Sequence, residues 1–442
     1  MMASNFVQVK EATVITPVDP TPNSVLSLST LDSQLFLRFT IEYLLVYPPS
    51  HGLHRREFLA RIKSALGRAL IQYYPLAGRV QQTRDGALQM VCRAQGAVFV
   101  EAVSGYRMAD FERAPRYVEE WRKLLWLHVD DVLKGAPPLV VQLTWLADGA
   151  VAVGFGFNHC ICDGIGSAEF INSFAELTRG VTVRGPKPVW NRHLLGPSPS
   201  NKSKLSIRVD SVSHPEFTRV EDCCGFLARF SRETLVPTSN VFSKYHINQL
   251  KRQTSRLSDL TSYTSFEVIS AHIWGCWAKS LNMPSNQVLR LLFSVNFRNR
   301  IKPGLPAGYY GNGFILGCAQ TTVKDLTEKG LGYASELVQK AKERVDDKYV
   351  REVIELVSEN RTSPDLVGVL ILSQWSRLGL ERVDFGLGKP AHVGPICSDK
   401  YCLLLPVHNQ EEAVRVMLAV PTSAVDMYQN LLTKPFYSND NL

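Results

Sequence analysis

Strand and helix signals interleave through both halves of the chain, which predicts an α/β or α+β fold. Three observations carry the prediction. The runs LVVQLTWLA (139–147) and AVAVGFGFNH (150–159) read as strands joined through Asp148 and Gly149, a hairpin signal. REFLARIKSALGRALI (56–71) places Phe58, Ile62, Leu66, Ala69 and Leu70 near helical spacing. Finally, a chain of 442 residues exceeds one ordinary core, and two domains of roughly 200 residues each are expected.

In chain order, LFLRFTIEYLLVY (35–47) alternates with period two, Leu35, Leu37, Phe39, Ile41, Tyr43 and Leu45 forming an apolar face. On the other face Arg38, Thr40 and Glu42 sit between Phe36 and Leu44. Such a polar centre is either an exposed edge, the reading favoured by the strand alone, or the wall of a polar pocket. Pro75 and Gly78 end the first helix, and a second is expected around 117–133. SAEFINSFAEL suggests a helix after the hairpin. Residues 184–215, rich in proline and serine, suit a surface linker. Beyond it, 265–281 reads as a helix, 289–299 as a buried strand and about 331–358 as helical. Further strands are expected near 366–373, 402–408 and 413–420. The division expected is 1–185, a crossover at 186–215, and 216–442.

The composition excludes several classes. With 45% hydrophobic and 20% charged residues the chain is globular, and no run of 18 apolar residues suggests a transmembrane helix. The net charge of +8 is dispersed without basic runs, so no nucleic-acid footprint is visible. The first residues carry charges and lack the apolar centre of a secretory signal. Nine scattered cysteines suit reduced thiols in the cytosol, and the Cys160–Cys162 pair lacks a companion at zinc spacing, so no metal site is expected.

The chemistry concentrates at FNHCICDGIG (157–166). In the strand before it, Val151, Val153, Phe155 and Phe157 share one face with His159, while Ala152, Gly154 and Gly156 leave the other bare. Glycines inside a strand usually mark close approach of a backbone or ligand. His159 can be a structural histidine, a member of a Ser–His–Asp triad, or a direct general base. No G-x-S-x-G elbow supports the triad. A direct base needs only a neutral imidazole within reach of an acceptor hydroxyl or amine. Asp163 can orient that imidazole or pin the loop through a salt bridge; spacing does not choose.

Together these segments resemble the plant BAHD acyl-CoA-dependent acyltransferases. HCICD (159–163) is similar to their HxxxD motif, and YYPLAGR (73–79) to a stretch near the end of their first helix. FRNRIKPGLPAGYYGN (297–312) resembles their Arg-x-Arg segment, and DFGLG (384–388) stands where they carry DFGWG. The matches occur in family order across essentially the whole chain.

The resemblance implies an α/β fold of two similar chloramphenicol-acetyltransferase-like domains, each a mixed sheet flanked by helices, with a channel between them for which the glycine face would leave room. It implies His159 as general base and Asp163 as a structural anchor paired with Arg298 or Arg300. Asp384, Gly386 and Gly388 support the site's shape, with Leu387 departing from the family tryptophan. Thr264 and Ser265 become candidates for the CoA arm, helix capping being the other reading. Ser373 and Trp375 are candidates for the acyl pocket, with a plain core tryptophan as the alternative. Thr40 and Glu42 become acceptor-pocket candidates. No permanently bound cofactor is expected; acyl-CoA is the co-substrate and a small alcohol or amine the acceptor. The resemblance is nearest to members that move hydroxycinnamoyl groups onto aliphatic alcohols or hydroxy acids, acting as cytosolic monomers. A CoA-independent lyase and a non-catalytic binding protein remain the other classes.

Overall fold

The computed structural model describes residues 6–127, 132–197, 214–255, 262–360, 363–397, 399 and 401–437. Two six-stranded sheets dominate it. The first runs, in spatial order, Val7–Ile15, Ala97–Ser104, Leu139–Trp145, Val151–Asn158, Thr40–Tyr47 and His392–Pro395. Only the pairing of Ala97–Ser104 with Leu139–Trp145 is parallel, so the sheet is mixed. The second runs Phe314–Thr322, Val288–Asn296, Val369–Gln374, Cys402–Val407, Gln410–Pro421 and Leu235–Phe242, with two parallel pairings. A small three-stranded sheet, Ser24–Ser27, Leu88–Cys92 and Arg79–Gln82, stands apart.

Each large sheet has its own core. Helices Arg55–Gln72 and Gly164–Thr178 contribute Phe58, Ile62, Leu66, Phe170 and Phe174 to the first. Helices Ser265–Ser280, Gly330–Glu343 and Asp347–Asn360 contribute Trp274, Trp277, Val338 and Val353 to the second. The strand His392–Pro395 belongs by sequence to the segment after 216 but pairs with Thr40–Tyr47, so the first sheet is completed from the far end of the chain. Trp375, Phe385 and Leu387 pack into that first core as well.

The hairpin forms as read: Leu139–Trp145 and Val151–Asn158 pair antiparallel, and Gly149 takes φ +86°, a left-handed conformation glycine adopts without strain. Other elements differ from expectation. Leu35–Leu37 is a short 3-10 turn and the strand begins only at Thr40. That strand is no free edge: Tyr43–Val46 pairs on both sides, and Thr40–Glu42 pairs with Asn158–Gly156. The helix expected around 117–133 is absent from the described residues, which carry short 3-10 turns at Arg122–Leu124 and Val132–Lys134; residues 128–131 lie outside them. The Gln142 side chain takes over the role of a helical ladder there, accepting from the Trp126 N–H at 2.6 Å and donating to the Lys123 carbonyl at 3.0 Å. The helical stretch near 331–358 is two helices broken at 344–346, where the Asp346 carboxylate caps the Tyr349 N–H at 2.8 Å. Of the crossover, residues 198–213 fall outside the described structure; before them Val189 bridges to Tyr309.

Candidate active site

The strand Val151–Asn158 ends at His159, whose backbone N–H donates to the Phe39 carbonyl at 2.8 Å. The imidazole lies between two rings, with centroids 5.2 Å from Phe39 and 5.5 Å from Phe314. Its Nδ1 is buried and without a hydrogen-bond partner. Burial is the strongest influence on the ring and holds its pKa below the usual histidine value. The backbone of His159 itself, Asp163 and Asn312 oppose that shift without cancelling it. A neutral imidazole is therefore favoured near pH 7.

Asp163 caps the helix Gly164–Thr178, accepting from the Gly166 N–H at 3.0 Å. Its two oxygens also receive Arg298 Nη1 at 2.8 Å and Nη2 at 3.1 Å, and the Gly313 N–H at 3.0 Å. Burial alone would raise this carboxyl; Arg298 and the two backbone donors outweigh it and hold the pKa below the ordinary range. The pairing is with Arg298, not Arg300, which donates to the carbonyls of Lys342 and Val345. Asp163 makes no hydrogen bond to the His159 ring.

A second buried pair, which sequence reasoning missed, lies beside the first. Asp32 and Arg192 meet at 2.5 Å with side chains almost wholly buried. Asp32 also receives the Ser29 N–H and hydroxyl, and both the backbone and side-chain nitrogens of Asn312. The two partners then hold the loop: Asn312 Nδ2 donates to the His159 carbonyl at 2.8 Å, and Arg192 Nη2 to the Ile161 carbonyl at 2.7 Å. Consecutive residues Asn312 and Gly313 thus donate to the two carboxylates in turn. Glycine is needed at 313, because a Cβ there would stand 2.5 Å from Arg298 Nη1. Asn312 lay within the quoted GYYGN segment, but Asp32 and Arg192 carry no local pattern; their partnership spans 160 residues.

The bare face of the glycine strand is filled by the protein itself, which corrects its reading as channel space. A Cβ on Gly154 would stand 2.4 Å from the Leu124 carbonyl oxygen, and one on Gly156 would meet Leu125 at 2.9 Å and Thr40 at 3.0 Å. The irregular 122–126 segment therefore packs here. Thr40 and Glu42 lie opposite Asn158 and Gly156, and Glu42 sits 3.5 Å from Arg122. Arg122 in turn donates to the Cys397 thiol at 3.4 Å.

The remaining candidates are scattered. Trp375 is buried against Tyr43, ring centroids 4.5 Å apart, and the Tyr43 hydroxyl meets Ser167 Oγ at 2.5 Å. Ser373 lies opposite Leu403 in the second sheet. Thr264 caps the helix Ser265–Ser280, sharing reciprocal bonds with Glu267, which is buried and paired with Lys342. Asp384 Oδ1 gathers the N–H groups of Gly386, Leu387 and Gly388 at 2.7, 3.0 and 2.9 Å. Gly386 and Gly388 take φ of +88° and +81°, and Asp384 Oδ2 lies 3.4 Å from Arg179. Among the described residues no cluster of His, Cys, Asp and Glu could hold a metal ion, and no helix is long and apolar enough to cross a membrane.

Residues 5–431 match the Transferase family. The omega-hydroxypalmitate O-feruloyl transferase of Arabidopsis thaliana is 33% identical over 95% of this chain and 91% of that protein. The fatty alcohol:caffeoyl-CoA acyltransferase of the same plant is 31% identical over 98% of this chain and 100% of that protein. Among solved structures, vinorine synthase superposes with a TM-score of 0.75 at 22% identity, covering 97% of this chain and 98% of its own. F. sporotrichioides TRI101, solved with coenzyme A and T-2, gives 0.70 at 14% identity over 92% of this chain and 97% of its own. Both bear out the two-body mixed α/β architecture. Family and fold agree along nearly the whole chain: it belongs to the Transferase family, the plant BAHD group of acyl-CoA-dependent acyltransferases, and is an O-acyltransferase.

Proposed function

We propose that the protein moves an aromatic, hydroxycinnamoyl-type acyl group from acyl-CoA to the hydroxyl of a small acceptor, with His159 as direct general base. The observation that carries this is a buried imidazole held neutral at the end of a strand, with its Nδ1 unpaired and its neighbouring carboxylate committed to Arg298. In this reading His159 takes the acceptor's hydroxyl proton as the oxygen attacks the thioester carbonyl. The oxyanion collapses, the C–S bond breaks, and the CoA thiolate takes the proton back from the imidazolium. No acyl-enzyme forms, and rate comes from holding two substrates end to end.

The preference for an aromatic acyl group rests on the relatives named for feruloyl and caffeoyl transfer. The buried Tyr43–Trp375 pair supports an acyl pocket beside Ser373, and Thr264 with Ser265 would meet the CoA arm. Thr40 and Glu42 would form the acceptor wall, with Arg122 balancing the Glu42 charge. The anchored 384–388 loop would hold the site's outer shape. We assign domains to 1–185 and 216–442 with a crossover between, and a reducing, cytosolic setting suits the free cysteines of a monomer. Incubation with a panel of acyl-CoAs and alcohols, reading free thiol, tests the function. Turnover with feruloyl- or caffeoyl-CoA supports it; transfer of aliphatic groups alone would overturn the donor assignment.

A further inference from the structure

A histidine at a strand end can turn about its side-chain bonds, yet a base acts only with one nitrogen aimed at the acceptor. In a Ser–His–Asp triad a carboxylate supplies that aim. Here Asp163 commits its oxygens to Arg298, Gly166 and Gly313, so the aim has another source. Two phenyl rings stand against the imidazole, Phe39 at 5.2 Å with planes 58° apart and Phe314 at 5.5 Å and 46°. Each arrives on backbone tied to the histidine's own loop. The Phe39 carbonyl receives the His159 N–H at 2.8 Å. Phe314 follows Asn312, which donates to the His159 carbonyl, and Gly313, which donates to Asp163. Phe39 directly precedes a strand of the first sheet and Phe314 begins a strand of the second, so the rings come from separate sheets.

We propose that Phe39 and Phe314 are positioning residues for the base, a two-ring clamp that fixes the plane of the His159 imidazole and keeps water off its flanks. The inference rests on the general-base reading above and adds what aims the base. Aromatic faces attract cations, which would favour the imidazolium. Burial is the larger influence on this histidine, so removing a ring should ease its protonation. The charges facing the imidazole stay in place when a ring is removed. Asp163 and Asp32 favour its proton, and each is paired with an arginine, Arg298 and Arg192. On the Phe39 side stand Arg38, the preceding residue, and Tyr401, its ring 5.7 Å from that of Phe39 and its hydroxyl kept protonated by burial. Glu42, farther along the same strand, lies 3.5 Å from Arg122, and burial keeps the adjacent Cys160 a thiol.

The test measures pH–rate profiles of wild type, Phe39→Leu, Phe39→Tyr and Phe314→Leu with one productive acyl-CoA and alcohol. Each leucine variant should lose about ten- to a hundred-fold in kcat, the effect of a misaimed group. Its acid limb should also move up by about 0.5–1 in pH, toward the ordinary histidine value. Phe39→Tyr keeps the ring and should restore most of the rate and return the limb. Phe39 is only partly buried, so its two variants decide the matter if Phe314→Leu fails to fold. A limb that stays in place or moves further down overturns the clamp, as does a loss confined to either KM. Turnover with an acid limb surviving in His159→Gln would instead sink the general-base reading. NMR titration of the His159 ring, its signal assigned by its loss in that variant, then still decides the clamp. A raised imidazole pKa in both leucine variants supports it, and identical titration in all proteins sinks it.

Discussion

Arg298 grips both oxygens of Asp163, Nη1 at 2.8 Å from Oδ2 and Nη2 at 3.1 Å from Oδ1. The two residues lie 135 positions apart, one at the head of a helix beside the first sheet and the other after a strand of the second. The aspartate four residues after His159 is thereby a clamp on the loop that presents the histidine.

Breaking that clamp from one side leaves the other charge buried and unpaired. Arg298→Ala should cost about 3–5 kcal/mol of unfolding free energy in urea titration. Gly313→Ala should mimic part of the loss, because its methyl would occupy the guanidinium's place. Because folding lowers the Asp163 pKa, its contribution is present above the ordinary carboxylate pKa and lost as pH falls through the lowered value. Asp163→Asn should therefore flatten the acid limb of the stability curve.

The Asp32 cluster predicts a separate effect. Asp32→Asn turns an acceptor-only group into one that must point a donor at either Arg192 or Asn312. A loss of about 2–4 kcal/mol is expected, by the cost of unpairing a buried charge. Through Asn312 the change should also lower kcat more than it raises acceptor KM. An unaltered thermal midpoint would contradict the assignment.

Glu169 predicts an opposite pH response. Partial burial, opposed by Arg298 and reinforced by Asp163, pushes its carboxyl up to about 7. A raised folded-state pKa gives stability that is full below the unfolded value and lost as pH rises through about 7. Glu169→Gln should remove this slope and stabilise the protein at pH about 8 relative to wild type. Thermal midpoints across pH would show it; parallel curves would not fit.

The glycine strand gives a graded pair. Gly154→Ala drives a methyl into backbone at Leu124, whereas Gly156→Ala meets side chains that can turn. Overpacking typically costs about 1–3 kcal/mol, and Gly154→Ala should lie at or beyond the upper end and Gly156→Ala near the lower. Denaturant midpoints that reversed this order would contradict the packing.

These glycines also show where sequence reasoning stops. Their bareness was legible, but not what fills it, because Leu124 and Leu125 arrive on an irregular segment. The same segment reads as a helix from its spacing; tertiary contacts from Gln142 override that preference. Elements whose signal is local were legible: the Asp148–Gly149 hairpin, the Phe58–Leu70 helix face, the Thr264 cap. Long-range partners were not. Nothing near Asp32 announces Arg192, and nothing in His392–Pro395 says that it pairs with Thr40–Tyr47, some 350 residues earlier. Arg298 over Arg300 was decided by geometry, since both occupy one short motif.

The central claim is that His159 itself moves the acceptor's proton. Its most direct measurement is the turnover of His159→Ala and His159→Gln with a productive acyl-CoA and alcohol, read as free thiol, beside the wild-type pH profile. The account predicts a loss of about a hundred- to ten-thousand-fold in kcat with little change in thermal midpoint. It also predicts a wild-type acid limb whose pKa lies below the ordinary histidine value, rate rising as the imidazole loses its proton. Near wild-type turnover in either variant, or an acid limb that survives in both, would contradict it.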